Sequence, residues 1–236
     1  MAERQPALRL TDLCAWYGDS QSLHGVNLDV GSGEAVSIMG RNGAGKSTTL
    51  KCIMGLIEKK TGQVMFRDQN TTAWPPEKIS RMGLAYCPEE RGIYASLSVS
   101  ENLLLPPIVA QGGFTTDEIY ALFPNLFERR NNQGTKLSGG EQQMLAIARI
   151  LRTGAKVILL DEPTEGLAPV IVQKIGDVIR MLKERGFTII LVEQSFHFVA
   201  QLADKSYIME NGRIVDQFDQ QQLSANISKI HAYLGL

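Results

Sequence analysis

The apolar run from Glu34 to Met39 ends in Gly40-Arg41-Asn42-Gly43-Ala44-Gly45-Lys46-Ser47, and a helical pattern follows from Lys46 to Met54. A buried strand, a glycine-rich loop and a helix in that order admit few folds. Glycines let successive backbone N–H groups turn inward around phosphate oxygens, and the start of the helix adds partial positive charge. The loop matches GxxxxGK(S/T) in full, which makes a ligand-free glycine turn the weaker reading. It assigns Lys46 to the β- and γ-phosphates of a nucleotide and the Ser47 hydroxyl to Mg²⁺, with Gly40 to Thr48 as the binding segment.

The rest of the chain alternates short apolar runs with helical patterns, which predicts a parallel sheet flanked by helices. Lys156 to Leu160 and Phe187 to Val192 read as buried strands. Between them, Pro169 to Arg185 places apolar residues at 171, 175, 178, 179 and 182 on one helical face, with Gly186 as its stop. The stretch from about Gly92 to Arg152 reads instead as a helical lobe inserted into this α/β core. Two capping boxes open its segments, Ser98 with Glu101 and Thr115 with Glu118. Asn211-Gly212 predicts a hairpin between Tyr207–Glu210 and Arg213–Val215. The glutamine-rich Gln217–Gln222 is expected to be a solvated loop or helix start. The expectation is a single domain over residues 1–236 with the lobe at about 92–152 inside it.

Leu160-Asp161-Glu162 closes a hydrophobic strand at its carboxyl end, where ligands sit in such sheets. Asp161 suits a hydrated hard cation. Glu162 is then the candidate base or positioner for an attacking water. Alone, the pair would read as a solvated strand end; paired with the glycine loop, it reads as a phosphoryl-transfer site.

Leu137-Ser138-Gly139-Gly140-Glu141-Gln142-Gln143 lies between these two elements. Ser138 and Glu141 form a capping box that would open the helix from Glu141 to Leu151 whatever its role. A cap needs no double glycine, however, and Gly139-Gly140 permits close approach of a phosphate to the helix start. The order of glycine loop, LSGGEQQ and acidic pair resembles the ATP-binding cassette (ABC) family over nearly the whole chain. The resemblance implies a P-loop NTPase core with a mainly parallel sheet, an antiparallel β edge and an inserted all-α lobe. It also implies ATP hydrolysis with Mg²⁺ and subunits that pair head to tail. Ser138, Gly139 and Gly140 would then meet the nucleotide held by the partner's phosphate loop, and Tyr17, before Gly18, would stack on adenine. A strand-edge aromatic is the alternative for Tyr17.

Three positions depart from the general family pattern. Glu89 replaces a glutamine in Pro88-Glu89-Glu90-Arg91, Ala168 replaces an aspartate in Glu165-Gly166-Leu167-Ala168-Pro169, and Gln194 replaces the switch histidine in Val192-Glu193-Gln194. Together these resemble the second ATPase of branched-chain amino acid importers and the related urea and amide importers, although that subfamily more usually has glycine at position 90. Glu89 joins Ser47 and Asp161 as a metal-ligand candidate, because a carboxylate binds Mg²⁺ more strongly than an amide. Gln194 can donate to the γ-phosphate but cannot titrate near neutrality as histidine does. With Lys46 and Glu162 it completes the candidate catalytic set. His197 is a nearby alternative for which a satisfied histidine is the plainer reading.

The partners implied are transmembrane permease subunits, a second ABC ATPase or a second copy of this chain, and indirectly a periplasmic or surface solute-binding protein. By the resemblance, residues around Glu89 to Leu97 border a docking groove for a permease helix; Ile93, Tyr94 and Leu97, expected to be exposed there, fit such an interface, with loop packing as the alternative. No apolar run approaches membrane-spanning length and Met1–Gln5 is polar, so the chain reads as cytosolic by default; the resemblance then implies a peripheral place on the cytoplasmic side of the membrane. The net charge is −1, from 24 basic and 25 acidic residues, which offers no basic field for nucleic acid. That balance counts against a soluble ABC ATPase acting on DNA or ribosomes. A small P-loop kinase would give LSGGEQQ no role. Cys14, Cys52 and Cys87 are read as scattered thiols in a reducing compartment.

Overall fold

The computed structural model describes residues 6–235; Met1–Gln5, read above as polar, lie outside the described residues. A long hairpin opens the structure, β1 (Pro6–Tyr17) and β2 (Ser20–Gly31), followed by β3 (Ala35–Met39) and α1 (Lys46–Ile53). Next come β4 (Lys60–Phe66), β5 (Gln69–Asn70), α2 (Pro76–Arg81) and β6 (Leu84–Cys87). The middle of the chain is helical: α3 (Val99–Leu104), α4 (Thr116–Leu122), α5 (Pro124–Glu128) and α6 (Gly139–Arg152). Then β7 (Val157–Asp161), α7 (Pro169–Glu184), β8 (Thr188–Glu193) and α8 (Phe196–Ala200) return to alternation. The described chain closes with β9 (Lys205–Glu210), β10 (Arg213–Asp219), α9 (Gln220–Ala225) and α10 (Ile227–Leu234).

Two sheets result. The larger has the order β10-β9-β3-β8-β7-β6, parallel except for β10, which is its antiparallel edge. The smaller, β2-β1-β4-β5, is antiparallel throughout and went unseen in the sequence as a separate sheet. The strands of β3, β7 and β8 are buried on both faces. Their alternate residues feed two cores. Ile158, Leu160, Ile189 and Leu191 join a core with α3 to α7, whereas Leu159, Ile190, Val36 and Ile38 join a core with α1 and the smaller sheet. Each such side chain contributes about 1.5–3 kcal/mol relative to exposure.

The capping boxes at Ser98, Thr115 and Ser138 all form, and Asp219 with Gln222 adds another. Asn211 (φ 45°) and Gly212 (φ 73°) both adopt the left-handed conformation that a two-residue hairpin turn requires. Gln217–Gln222 divides differently from expectation, since β10 runs on to Asp219 before α9 begins. Pairing with β9 as far as Lys205 extends the strand through these polar residues.

The reading of Ile93, Tyr94 and Leu97 as exposed groove residues needs correction. Ile93 and Leu97 are half-buried, and only Tyr94 is exposed, at 53%. The cause is Asn102, fully buried, whose amide bonds the N–H and C=O of Tyr94 and the carbonyls of Leu97 and Ser98 at 2.9–3.1 Å. This pins the loop onto α3 and turns Ile93 toward the core.

Candidate functional site

The glycine loop leaves the carboxyl end of β3 and is held from three sides. A Cβ on Gly40 would collide with the carbonyl of Met209 in β9, and one on Gly45 would lie 2.9 Å from Leu23 in β2. The N–H of Gly212 donates to Ala44 O at 2.8 Å, and its carbonyl accepts from His24 N–H at 2.8 Å. Gly45 (φ 106°) starts α1 with no capping side chain, so the first-turn amides of α1 have none of the side-chain acceptors found at α3, α4 and α6. An anion at this end is favoured by both the unpaired donors and the helix dipole.

The amides open into a cleft of about 380 Å³ lined by Asn42, Lys46, Ser47, Glu89, Glu162 and Glu165, among others. Lys46 is 4% exposed; its ammonium donates to Gly40 O (2.9 Å) and Arg41 O (3.2 Å) and pairs with Glu162 Oε1 at 3.2 Å. Ser47 Oγ donates to Asp161 Oδ1 at 2.9 Å, and Tyr86 OH donates to Asp161 Oδ2 at 2.9 Å. Tyr17, half exposed, stands at the rim, its hydroxyl 3.5 Å from Thr48 Oγ1. Gln194 reaches the same cleft, with Nε2 donating to Asn42 Oδ1 at 2.7 Å and Glu162 Oε2 at 2.9 Å. His197 is exposed and paired with Gln201, apart from the cleft residues.

The carboxyls are unequal. Burial pushes Asp161 up, against the hydrogen bonds from Ser47 and Tyr86. Burial would also raise Glu162, yet its bond with Glu165, the charge of Lys46 and Gln194 hold it below the ordinary carboxylate range. Glu165 is raised to about 7, first by its hydrogen bond with Glu162, then by that neighbour's charge and by burial. Glu89 is raised by burial and by the charges of Glu162, Asp161 and Glu90. One carboxylate poised by a lysine and an amide, with hard oxygen donors beside it, can orient water against a phosphate and hold a divalent cation.

Ser138, Gly139 and Gly140 are not among the residues lining this cleft. They form the start of α6 instead, with Ser138 Oγ accepting from Glu141 N–H at 3.3 Å. The sequence argument for the two glycines also needs amending, because each has a reason within the chain. Gly140 is buried against Ile171, which a Cβ would meet at 3.0 Å. Gly139 faces the Arg91 guanidinium, 3.3 Å from where a Cβ would stand, and Arg91 donates to Gln143 and Gln142 at 3.3 and 3.4 Å. Phosphate approach is therefore not the sole explanation for either.

A groove of about 710 Å³ runs between α2, β6 and α6, with Met54, Leu56, Pro106 and Ile150 in its walls and Lys51, Arg81, Arg91 and Arg149 around them. Glu90 to Gly92 border it, while Glu89 lines the cleft instead. Arg149 Nε is buried there without a partner among the described residues. Sequence reasoning missed Tyr86, Thr164 and Glu193. Their roles come from the parallel register of β6, β7 and β8, which no local pattern announces.

Comparison with known proteins agrees with this geometry. The profile of the family described as ABC transporter matches residues 23–165. The chain is 40% identical to the high-affinity branched-chain amino acid transport ATP-binding protein BraG of Pseudomonas aeruginosa, over 97% of this chain and 99% of that one. A solved nucleotide-free ATP-binding cassette from an ABC transporter superposes with a TM-score of 0.83 at 24% identity, covering 98% and 99% of the two chains, and shares the fold. The dimeric structure of a bacterial ABC transporter cassette matches with a TM-score of 0.79 at 26% identity, over 90% and 98%.

Proposed function

The chain belongs to the ABC transporter family, and from that membership we propose that it is the ATP-hydrolysing subunit of an importer for branched-chain or related amino acids. The observation that carries the solute class is the end-to-end similarity to BraG. The chain itself binds and hydrolyses ATP; the permease subunits touch the solute.

In this reading the phosphate loop and Lys46 grip the β- and γ-phosphates, and Tyr17 stacks on the adenine from the cleft rim. Ser47 and Asp161, 2.9 Å apart, with Glu89 lining the same cleft, form an oxygen donor set that fits Mg²⁺. Held there, such an ion would supply charge neutralisation for phosphoryl transfer. Glu162 orients the attacking water, its carboxylate kept ionised beside Lys46. Gln194 donates to the γ-phosphate from the position it now shares between Asn42 and Glu162. Positioning and charge stabilisation account for most of the catalysis expected of such a site.

Ser138, Gly139 and Gly140 serve the partner's nucleotide, a role supported by their separation from this chain's own cleft. The second subunit is another ABC ATPase or a second copy. Residues 92–152 act as the lobe that carries this signature face. The apolar groove, with its basic rim and the unpartnered Arg149 Nε, receives a cytoplasmic segment of a permease subunit. Among the described residues no helix is long and apolar enough to cross a membrane. Attachment to the cytoplasmic face is through that groove, and a solute-binding protein acts from the other side.

The test is affinity isolation of the chain from gently solubilised native membranes. Recovery of two hydrophobic permease chains and a second cassette ATPase is expected. Ribosomes or DNA in their place would overturn the importer reading and leave the ATPase.

A further inference from the structure

Glu162 is one of the few non-glycine residues with positive φ, at 45°. A side chain in that region is strained, and the conformation persists only where its surroundings fix it on both sides. On one side the clamp is plain, because Glu162 N–H donates to Val192 O at 3.0 Å. On the other side it is a carboxylate. Glu193, 4% exposed, ends β8 without any ion-pair partner among the described residues. Its Oε1 accepts from Thr164 N–H (3.2 Å) and Thr164 Oγ1 (2.5 Å). Its Oε2 accepts from the N–H groups of Gln194 (3.1 Å) and Ser195 (3.4 Å).

We propose that Glu193 is a positioning residue for ATP hydrolysis, locking the turn that carries Gln194 to the loop that carries Glu162 so that the two side chains meet in one geometry. This rests on the roles given above to Glu162 and Gln194. The chemistry explains why the residue is a glutamate. Four donors converge on it, two at each oxygen, and only an acceptor-only group serves both sides at once. A hydroxyl is too short to reach across, and an amide would set its NH₂ against the N–H groups of one loop. A buried carboxyl is expensive to keep for packing alone, as Glu193's own upward shift from burial indicates. Pro163 and Thr164 lead straight into Glu165-Gly166-Leu167-Ala168, so the same clamp also sets where that exposed loop leaves the site.

The test uses the purified full chain with ATP and Mg²⁺, comparing Glu193→Gln, Gln194→Ala, the double variant and Thr164→Val. Glu193→Gln keeps size and shape but sacrifices one side of the clamp. Its kcat should fall by about tenfold to a hundredfold, as expected when reacting groups are displaced by a fraction of an ångström to an ångström, while KM for ATP stays within about twofold. In the Gln194→Ala background the same substitution should cost clearly less than in the wild type, because the alignment to Gln194 is gone and only the hold on the Glu162 loop remains. Thr164→Val should give a smaller loss of kcat with the same dependence on Gln194, and it decides the matter if Glu193→Gln does not fold. Wild-type kcat in both Glu193→Gln and Thr164→Val, or their full effect in the Gln194→Ala background, would overturn the proposal. Wild-type turnover in Gln194→Ala would instead overturn the assignment of Gln194, and this proposal with it.

Discussion

The ammonium of Lys46 lies 3.2 Å from Oε1 of Glu162, with both side chains almost fully buried. The residue proposed to grip phosphate and the residue proposed to direct water are thus each other's counter-ion. In that reading an incoming γ-phosphate takes Lys46 over from Glu162, and the exchange frees the carboxylate to face water. Removing one member of such a buried pair leaves the other uncompensated. Glu162→Gln should therefore lower kcat by about 10²–10⁴-fold, the range for a lost general base. ATP should bind at least as tightly as before, since the carboxylate no longer competes for Lys46. Phosphate-release kinetics and equilibrium binding of a fluorescent ATP analogue check both halves; weakened binding with turnover retained would refute the exchange.

Gln194 holds Glu162 and Asn42 through one amide nitrogen. Gln194→Ala should cost about tenfold or more in kcat. Gln194→His should restore part of it and introduce a limb in the pH–rate profile near the ordinary histidine value of about 6.5. Intact activity in the alanine variant and a flat profile in the histidine variant would together remove Gln194 from the mechanism.

The hydrogen bond with Glu162, above all, raises Glu165 from an ordinary value of 4.5 to about 7. The folded chain therefore binds a proton there more tightly than the unfolded one. That contribution to stability is complete below 4.5 and is lost as pH rises to about 7. Glu165→Gln keeps a donor toward Glu162 at every pH. The variant should melt at progressively higher temperature than the wild type as pH is raised from about 5 to 8, with a small effect because the side chain is exposed and screened. Thermal midpoints across that range decide it; a constant or shrinking difference contradicts the raised value at Glu165.

Gly140 packs against Ile171, and an added methyl would meet that side chain at 3.0–3.4 Å. Gly140→Ala should destabilise the chain by about 1–3 kcal/mol, the usual cost of overpacking. Ile171→Val in the same chain should recover part of the loss. Denaturant melts of the single and double variants measure this, and an additive pair would show that the contact is not the cause.

Most of the fold was legible because each signal was local. The strand–glycine–helix order, the unbroken apolar runs of β7 and β8, and the capping residues Ser98, Thr115 and Ser138 all act within a few residues of themselves. The first hairpin was missed because β1 and β2 carry bulges, at Leu10/Leu13 among others, that break the alternation a strand pattern depends on. In the site, motif spacing gave Lys46, Ser47, Asp161 and Glu162, and the family resemblance gave Gln194; the fold brings them together in pairs, Lys46 with Glu162, Ser47 with Asp161 and Gln194 with Glu162. Tyr86 and Glu193 escaped because their partners, Asp161 and Thr164, lie across strand boundaries whose register is set by the tertiary packing of the sheet.

The turn at Asn211-Gly212 makes the glycine loop a long-range structure. Gly40 and Ala44 are braced by Met209 O and Gly212 N–H, groups far along the chain from them. A side chain at position 212 would meet Ser22 O and so disturb a loop with which it shares no local sequence.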